Sequence, residues 1–166
     1  MVSLMGVAQS LADTDLHAWI VTQAWLWPAL EIGHFVGLTL LIGGLLVVDL
    51  SVLGGADQTS LRRIYRLLPL VLAGFALNLT TGILFCYGDP FRYAANVGFQ
   101  LKILVVLAAG INASYHHWRL TPLLLNSCGA SRVGFRAAAK VSAALSLACW
   151  FSVLLLGRLI PYVGTG

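Results

Sequence analysis

Glu31 and His34 stand three residues apart inside a long apolar stretch, a spacing that puts a carboxylate and an imidazole on one side of a helix. Ionisable groups are expensive in hydrocarbon and mark ligand, proton or ion sites there. Three kinds of chemistry suit the pair. An imidazole whose second nitrogen is held by a partner can be an axial ligand of haem b. A carboxylate beside an imidazole can relay a proton or bind a quinone headgroup. Glu-x-x-His is also half of a di-iron site, but such sites need a second copy of the motif and two further glutamates. Glu31 is the only glutamate in the chain, so a di-iron centre within one subunit is excluded.

The elements that must position these groups are membrane spans. Of 166 residues, 59% are hydrophobic and 10% charged, and the mean hydropathy is +0.88; this is the composition of an integral membrane protein. A hydrocarbon core of roughly 30 Å takes about 20 apolar helical residues. Four segments meet that length, at 28–53, 66–87, 97–118 and 138–160. Pro28 suits the first turn of the first span, Gly54-Gly55 suits its end, and Gly88-Asp89-Pro90 ends the second. The stretch from Asp13 to Leu26 mixes acids, His17, Trp19 and Trp25, the pattern of an interfacial helix. The expected fold is therefore all-α: one integral membrane domain, an antiparallel four-helix bundle with an N-terminal interfacial helix. No basic region precedes an apolar one in Met1 to Gln9, so the first span is expected to insert uncleaved.

Charge sets the orientation. One face collects Arg62, Arg63, Arg66, Arg119, Arg132, Arg136 and Lys140 against Asp57; the other carries Arg92, Lys102 and Arg158 with Asp13, Asp15 and Asp89. The positive-inside rule makes the first face cytoplasmic and puts both termini in the periplasm of a bacterial inner membrane. The same rule accounts for the pI near 9.3, and no nucleic-acid partner is expected. Cys86, Cys128 and Cys149 are scattered, without the spacing of a disulfide framework, a zinc site or covalent haem attachment.

Depth, at about 1.5 Å per residue, gathers a group near the outer face. Glu31 and His34 lie one to two turns into the first span, Lys102 a little over one turn into the third, and Arg158 within a turn of the end of the fourth. Tyr87 and Arg92 lie near that level, and Asn78 is deeper. In one reading Lys102 and Arg158 snorkel to the interface while Glu31 pairs with one of them as structural glue. In the other, His34 is an axial ligand of haem b, Glu31 orients the imidazole or manages a proton, and Lys102 and Arg158 hold the propionates. The second ligand would be His17, brought over by the interfacial helix, or the site has none. Gly33, Gly37 and Gly44 leave a groove beside His34 for a helix or a flat ligand.

His116 and His117 end the third span at the cytoplasmic face, so His34 and His117 are expected near opposite faces, on the order of 20 Å apart. One haem iron cannot take both. The pair reads as interfacial, or His117 belongs to a separate metal or haem site with Gly110 and Ala113 clearing its face. Adjacent rings diverge by about 100° on a helix and do not easily share a metal. Asp49, near the same face, is expected to pair with a loop arginine.

Three stretches invite comparison: Glu31 to His34 leading to Val47-Val-Asp49-Leu-Ser-Val-Leu-Gly54; Asn96 to His117, with Phe99-Gln-Leu-Lys102 and Gly110-Ile-Asn112; and Gly157-Arg158-Leu-Ile-Pro-Tyr162. Together they resemble an uncharacterised family of small bacterial four-helix inner-membrane proteins. The resemblance covers most of the chain, takes in Glu31, His34, Asp49, Lys102, Asn112, His117 and Arg158, and implies the architecture rather than an activity. A looser similarity to cytochrome b-like and copper-resistance membrane proteins rests on four helices with inward histidines. The expected function is a cytochrome b-like redox subunit, exchanging electrons with quinol or with membrane or periplasmic protein subunits. The alternatives are a non-catalytic anchor or accessory subunit of a larger complex, and a small transporter or channel; a homo-oligomer is compatible with each. Without a Walker, nucleophile-elbow, HExxH or dinucleotide-binding motif, a self-contained hydrolase or nicotinamide enzyme has no support.

Overall fold

The computed structural model describes residues 4–126, 131–160 and 162; Met1, Cys128, Pro161 and the side chain of Arg132 lie outside the described set. Every regular element among the described residues is helical. Two short helices, α1 (Leu4–Ala12) and α2 (Asp15–Thr22), precede the long α3 (Leu26–Leu53). The segment read as interfacial, Asp13 to Leu26, holds α2 alone, and α1 lies ahead of it. The break falls where the Thr14 hydroxyl accepts the His17 N–H at 3.2 Å and starts a new helix, as capping residues do.

A Schellman motif closes α3. The Gly55 N–H reaches the Val52 carbonyl at 3.1 Å and the Ala56 N–H the Ser51 carbonyl at 3.0 Å. Gly55 adopts φ +74°, a left-handed conformation that glycine takes at no steric cost. Asp57 then caps α4 (Gln58–Ile64), which continues through a 3-10 turn at Tyr65–Leu67 into α5 (Leu68–Gly88). After α6 (Pro90–Ala95) comes α7 (Val97–Tyr115), then a π-helical turn at His116–Leu120, α8 (Thr121–Asn126) and α9 (Ser131–Leu159). Four helical stretches are long and apolar enough to cross a membrane: Leu26–Leu53, Gln58–Gly88, Val97–Asn126 and Gly134–Leu159. The last three differ from the expected 66–87, 97–118 and 138–160 because the helices run on past the apolar residues into the arginine-bearing ends.

Asp57 is a fully exposed cap whose carboxylate accepts from the Ser60 hydroxyl and from the Ser60 and Thr59 amides. The Ser60 hydroxyl bond leads these contacts in holding its carboxyl below the ordinary 3.8. A depressed folded pKa contributes stability above the unfolded value and loses it as pH falls through the folded one. Asp57→Asn is therefore expected to unfold slightly below the parent protein at neutral pH. The two midpoints should converge on acidification through the carboxylate range; a gap of constant size would assign the effect to shape instead of charge.

Contacts between α3 and α5 run in opposite directions along the chain. A β-carbon on Gly33 would meet Thr81, on Gly37 it would meet Asn78 and Gly74, on Gly44 Val71, while Gly88 lies against Trp27. The glycine groove beside His34 is therefore filled by α5. Likewise α7 and α9 are joined at Asn112–Ser142, at Lys102–Gly157, and by the Asn96 amide, which donates to the Ile160 carbonyl at 2.8 Å. Three apolar layers follow along the bundle. Ile20, Leu26 and Leu30 pack with Phe85 at the His34 end. Leu41, Val71, Ala109, Trp150 and Val153 form the middle, where the Trp150 ring meets Phe75 edge-on at 6.3 Å. Val52, Leu61, Leu120, Leu124, Ala139 and Ala143 form the third.

Candidate functional site

His34 is half-buried between α3 and α5. Its Nδ1 lies 2.7 Å from the Thr81 hydroxyl oxygen, and its ring meets Phe85 edge-on at 5.6 Å. Thr81 also bonds back to the Leu77 carbonyl at 2.8 Å. A hydroxyl has one proton. With that proton committed to Leu77, Thr81 accepts from His34 Nδ1–H, and Nε2 keeps its lone pair. His17 is held in the same sense, because its Nδ1 lies 2.7 Å from the Tyr87 carbonyl, which can only accept. Both histidines thus pack on the C-terminal half of α5 with Nδ1 occupied and Nε2 bare.

The four groups gathered by depth divide. Lys102, from α7, is partly buried against Gly157, where a β-carbon would lie 3.4 Å from Nζ. Glu31 is exposed and takes a hydrogen bond from the Trp27 indole at 3.2 Å. Arg158 is exposed, its guanidinium 5.5 Å from the centre of the Tyr162 ring. The partner that orients His34 is Thr81, while Glu31 serves Trp27. Asn78 donates to the Gly74 carbonyl at 3.0 Å and leaves its buried Oδ1 without a hydrogen-bond partner.

A second polar group lies at the other end. Pro122 has no N–H to give to Trp118, and the turn ahead of it widens to a π-helix in which the Thr121 hydroxyl reaches the His116 carbonyl at 3.1 Å. Such widened turns recur at functional sites. His116 is buried here and His117 exposed. His116 Nε2 lies 3.0 Å from the Tyr65 hydroxyl and Nδ1 3.0 Å from Ser142 Oγ. Ser142 donates in turn to Asn112 Oδ1 at 3.0 Å. Asp49 is 4% exposed, contacts Ser146, and has one oxygen, Oδ2, without a hydrogen-bond partner.

Among the described residues Asp49 forms no ion pair with a loop arginine. Arg62 bonds the Leu125 carbonyl at 2.8 Å and Arg136 the Ala56 carbonyl at 3.1 Å, so these cations satisfy backbone oxygens left at helix ends. Among the described residues no three His, Cys, Asp or Glu side chains come together as a metal site. Along α5 and the turn before it, Thr81 and Tyr65 are sixteen residues apart, placing the two polar ends roughly 24 Å from each other.

Sequence reasoning did not find Thr81, Tyr65, Ser142 or Ser146. Their signal was present: Asn112 with His116, and Ser142 with Ser146, are polar pairs four residues apart inside apolar helices, the spacing of one helix face and of interhelical hydrogen bonds in lipid. No family model, curated protein or solved structure matches the chain.

Proposed function

We propose that this chain is a multi-pass inner-membrane protein, an antiparallel four-helix bundle with both termini in the periplasm, acting as a cytochrome b-like redox subunit. Support for insertion comes from large apolar side chains exposed on every long helix, among them Phe35, Leu72, Ile111 and Leu155. A folded protein in water would bury such surfaces. Arg62 and Arg63 of α4, Arg66 and Arg119 in the 3-10 and π-helical turns, and Arg136 early in α9 favour the cytoplasm for that face.

The observation that carries the redox reading is the pair of histidines at the other end, His34 and His17, each with Nδ1 tied to a partner and Nε2 bare. This is the tautomer a metal-ligating imidazole needs, with the outer partner that fixes it. His34 would be the axial ligand of haem b and His17 the second. Lys102, partly buried against Gly157, would neutralise a propionate, with Arg158 as the more exposed cation at the same end. Haem supplies one-electron chemistry at a potential set by its ligands and surroundings. Thr81 holds the His34 ring, and Phe85 shields its edge. The helix α5 occupies the glycine groove, so that groove is closed to a macrocycle. Quinol, or a membrane or periplasmic redox protein, would supply the electrons.

The middle layer of Leu41, Val71, Phe75, Ala109 and Trp150 argues for this reading over a channel, because an ion would have to cross it without polar partners. A reduced-minus-oxidised absorption spectrum of the protein purified from haem-replete cells, with metal analysis alongside, tests the proposal. A b-type spectrum at near one haem per chain is expected. A protein free of haem and iron would overturn it and leave the anchor or accessory role.

A further inference from the structure

The end of the molecule that the redox reading does not use contains a small cavity. It measures about 50 Å³ and is walled by Leu45, Val48, Asp49, Tyr65, His116 and Ser146, among others. A cavity of this size is too small for a quinone ring or any cofactor, since ligand pockets run to about 300 Å³ or more. It is large enough for water, for which about 10–15 Å³ of such volume is enough. Water also needs polar partners, and the wall provides one that lacks any: Asp49 Oδ2, on a side chain 4% exposed.

The hydrogen bonds around His116 have one consistent direction. Asn112 uses its amide N–H on the Ser142 carbonyl at 3.0 Å, which leaves its Oδ1 to accept from the Ser142 hydroxyl at 3.0 Å. Ser142 Oγ, its own proton spent, accepts from His116 Nδ1–H. His116 Nε2 is then bare and accepts from the Tyr65 hydroxyl. Asn112 and Ser142 thereby lock the imidazole in the tautomer that can take a further proton, and only on the nitrogen that faces Tyr65. Tyr65 and Asp49 both line the cavity.

We propose that this cavity binds water and is a proton-exchange site, in which one proton moves between the Asp49 carboxyl and His116 Nε2 through that water and the Tyr65 hydroxyl. In the forward direction the protonated carboxyl gives its proton to the water, the water gives one to the Tyr65 oxygen, and Tyr65 passes its original proton to Nε2. Water and tyrosine end unchanged, Asp49 becomes a carboxylate and His116 an imidazolium; no electron moves. The titratable groups facing the cavity are Asp49 from α3, Tyr65 from the 3-10 turn, and His116 and His117 from the π-helical turn; neutral Asn112, Thr121 and Ser146 also line it, and Thr121 contacts the Tyr65 side chain. Exposed His117 gives the site its outlet to the adjacent solvent. The inference does not depend on haem, and its test contains none.

The experiment is infrared spectroscopy of the full chain in lipid nanodiscs, titrated with pH and exchanged from H2O to D2O. The parent protein should show the carbonyl stretch of a protonated, buried carboxylic acid that titrates, shifts in D2O and disappears in Asp49→Asn. Tyr65→Phe should keep the band but slow its deuterium shift about tenfold or more, and Ser142→Ala should slow it less, by releasing the imidazole tautomer. A parent protein with no such band at any pH, or a band whose exchange is as fast in Tyr65→Phe, overturns the proposal. If Asp49→Asn does not fold, aspartate-specific carbon-13 labelling identifies the band in the parent chain, and the Tyr65→Phe comparison decides alone.

Discussion

Gly74→Ala is expected to destabilise the folded chain by about 1–3 kcal/mol, the range of overpacked interiors. A single methyl group would suffice. A β-carbon at Gly74 would stand 2.7 Å from the Leu41 nitrogen, 2.8 Å from the Gly37 carbonyl oxygen and 2.9 Å from Leu40 Cβ. Two of those atoms are backbone, so no rotamer change can clear them, and α3 must move away from α5. That movement would separate the surfaces that hold Thr81 against His34. Gly82, on the same helix, has nothing within 4 Å of its would-be β-carbon. Gly82→Ala should be neutral or stabilise by up to about 0.5–1 kcal/mol through lower backbone entropy in the unfolded chain. Reversible unfolding in mixed micelles measures both. Equal effects of the two substitutions would mean that α3 and α5 do not meet in this register.

His34→Leu should remove the haem signal entirely, whereas Thr81→Val should leave a haem protein with about tenfold to a hundredfold weaker binding, the usual cost of losing the group that orients a metal-bound imidazole. Valine keeps the shape of threonine and deletes only the hydroxyl that accepts from Nδ1. His17→Ala should retain haem and change the spectrum to that of a centre with one histidine ligand. His117→Ala should change nothing, since that side chain is exposed at the far end. Haem titration of the apoprotein, read as Soret absorbance, gives all four results. Loss of haem with His117→Ala would reject the His34 site, as would a Thr81→Val protein that binds haem as tightly as the parent.

Much of the architecture was legible in the residues alone. Apolar length marks the four long helices, Pro28 and the Gly54-Gly55 pair mark the ends of the first, and depth counting separates His34 from His117. These are properties of single helices, written in composition and in distance along one chain segment. The extra helical turns at Gln58 and Gly134 were not legible, because charged residues continue a helix as readily as apolar ones once a cap such as Asp57 starts it.

The two polar sites depended on something else. Counting residues gives the depth of a side chain and its angle about its own axis, and leaves open how one helix is rotated against the next. Glu31 and Thr81 are both at the right depth to hold His34; the α3–α5 glycine contact turns Thr81 inward and leaves Glu31 with Trp27. His116 and His117 are neighbours at one depth, and the π-helical turn before Pro122 decides that His116 enters the interior. Asp49 looked fit for an arginine, but Arg62 and Arg136 are drawn to helix-end carbonyls and the carboxyl faces Ser146 and a cavity. Sequence by itself determined that this chain carries costly polar groups at two depths of an apolar four-helix protein. Tertiary structure alone decided which groups meet, because hydrogen bonds between helices require a relative rotation that no single helix encodes.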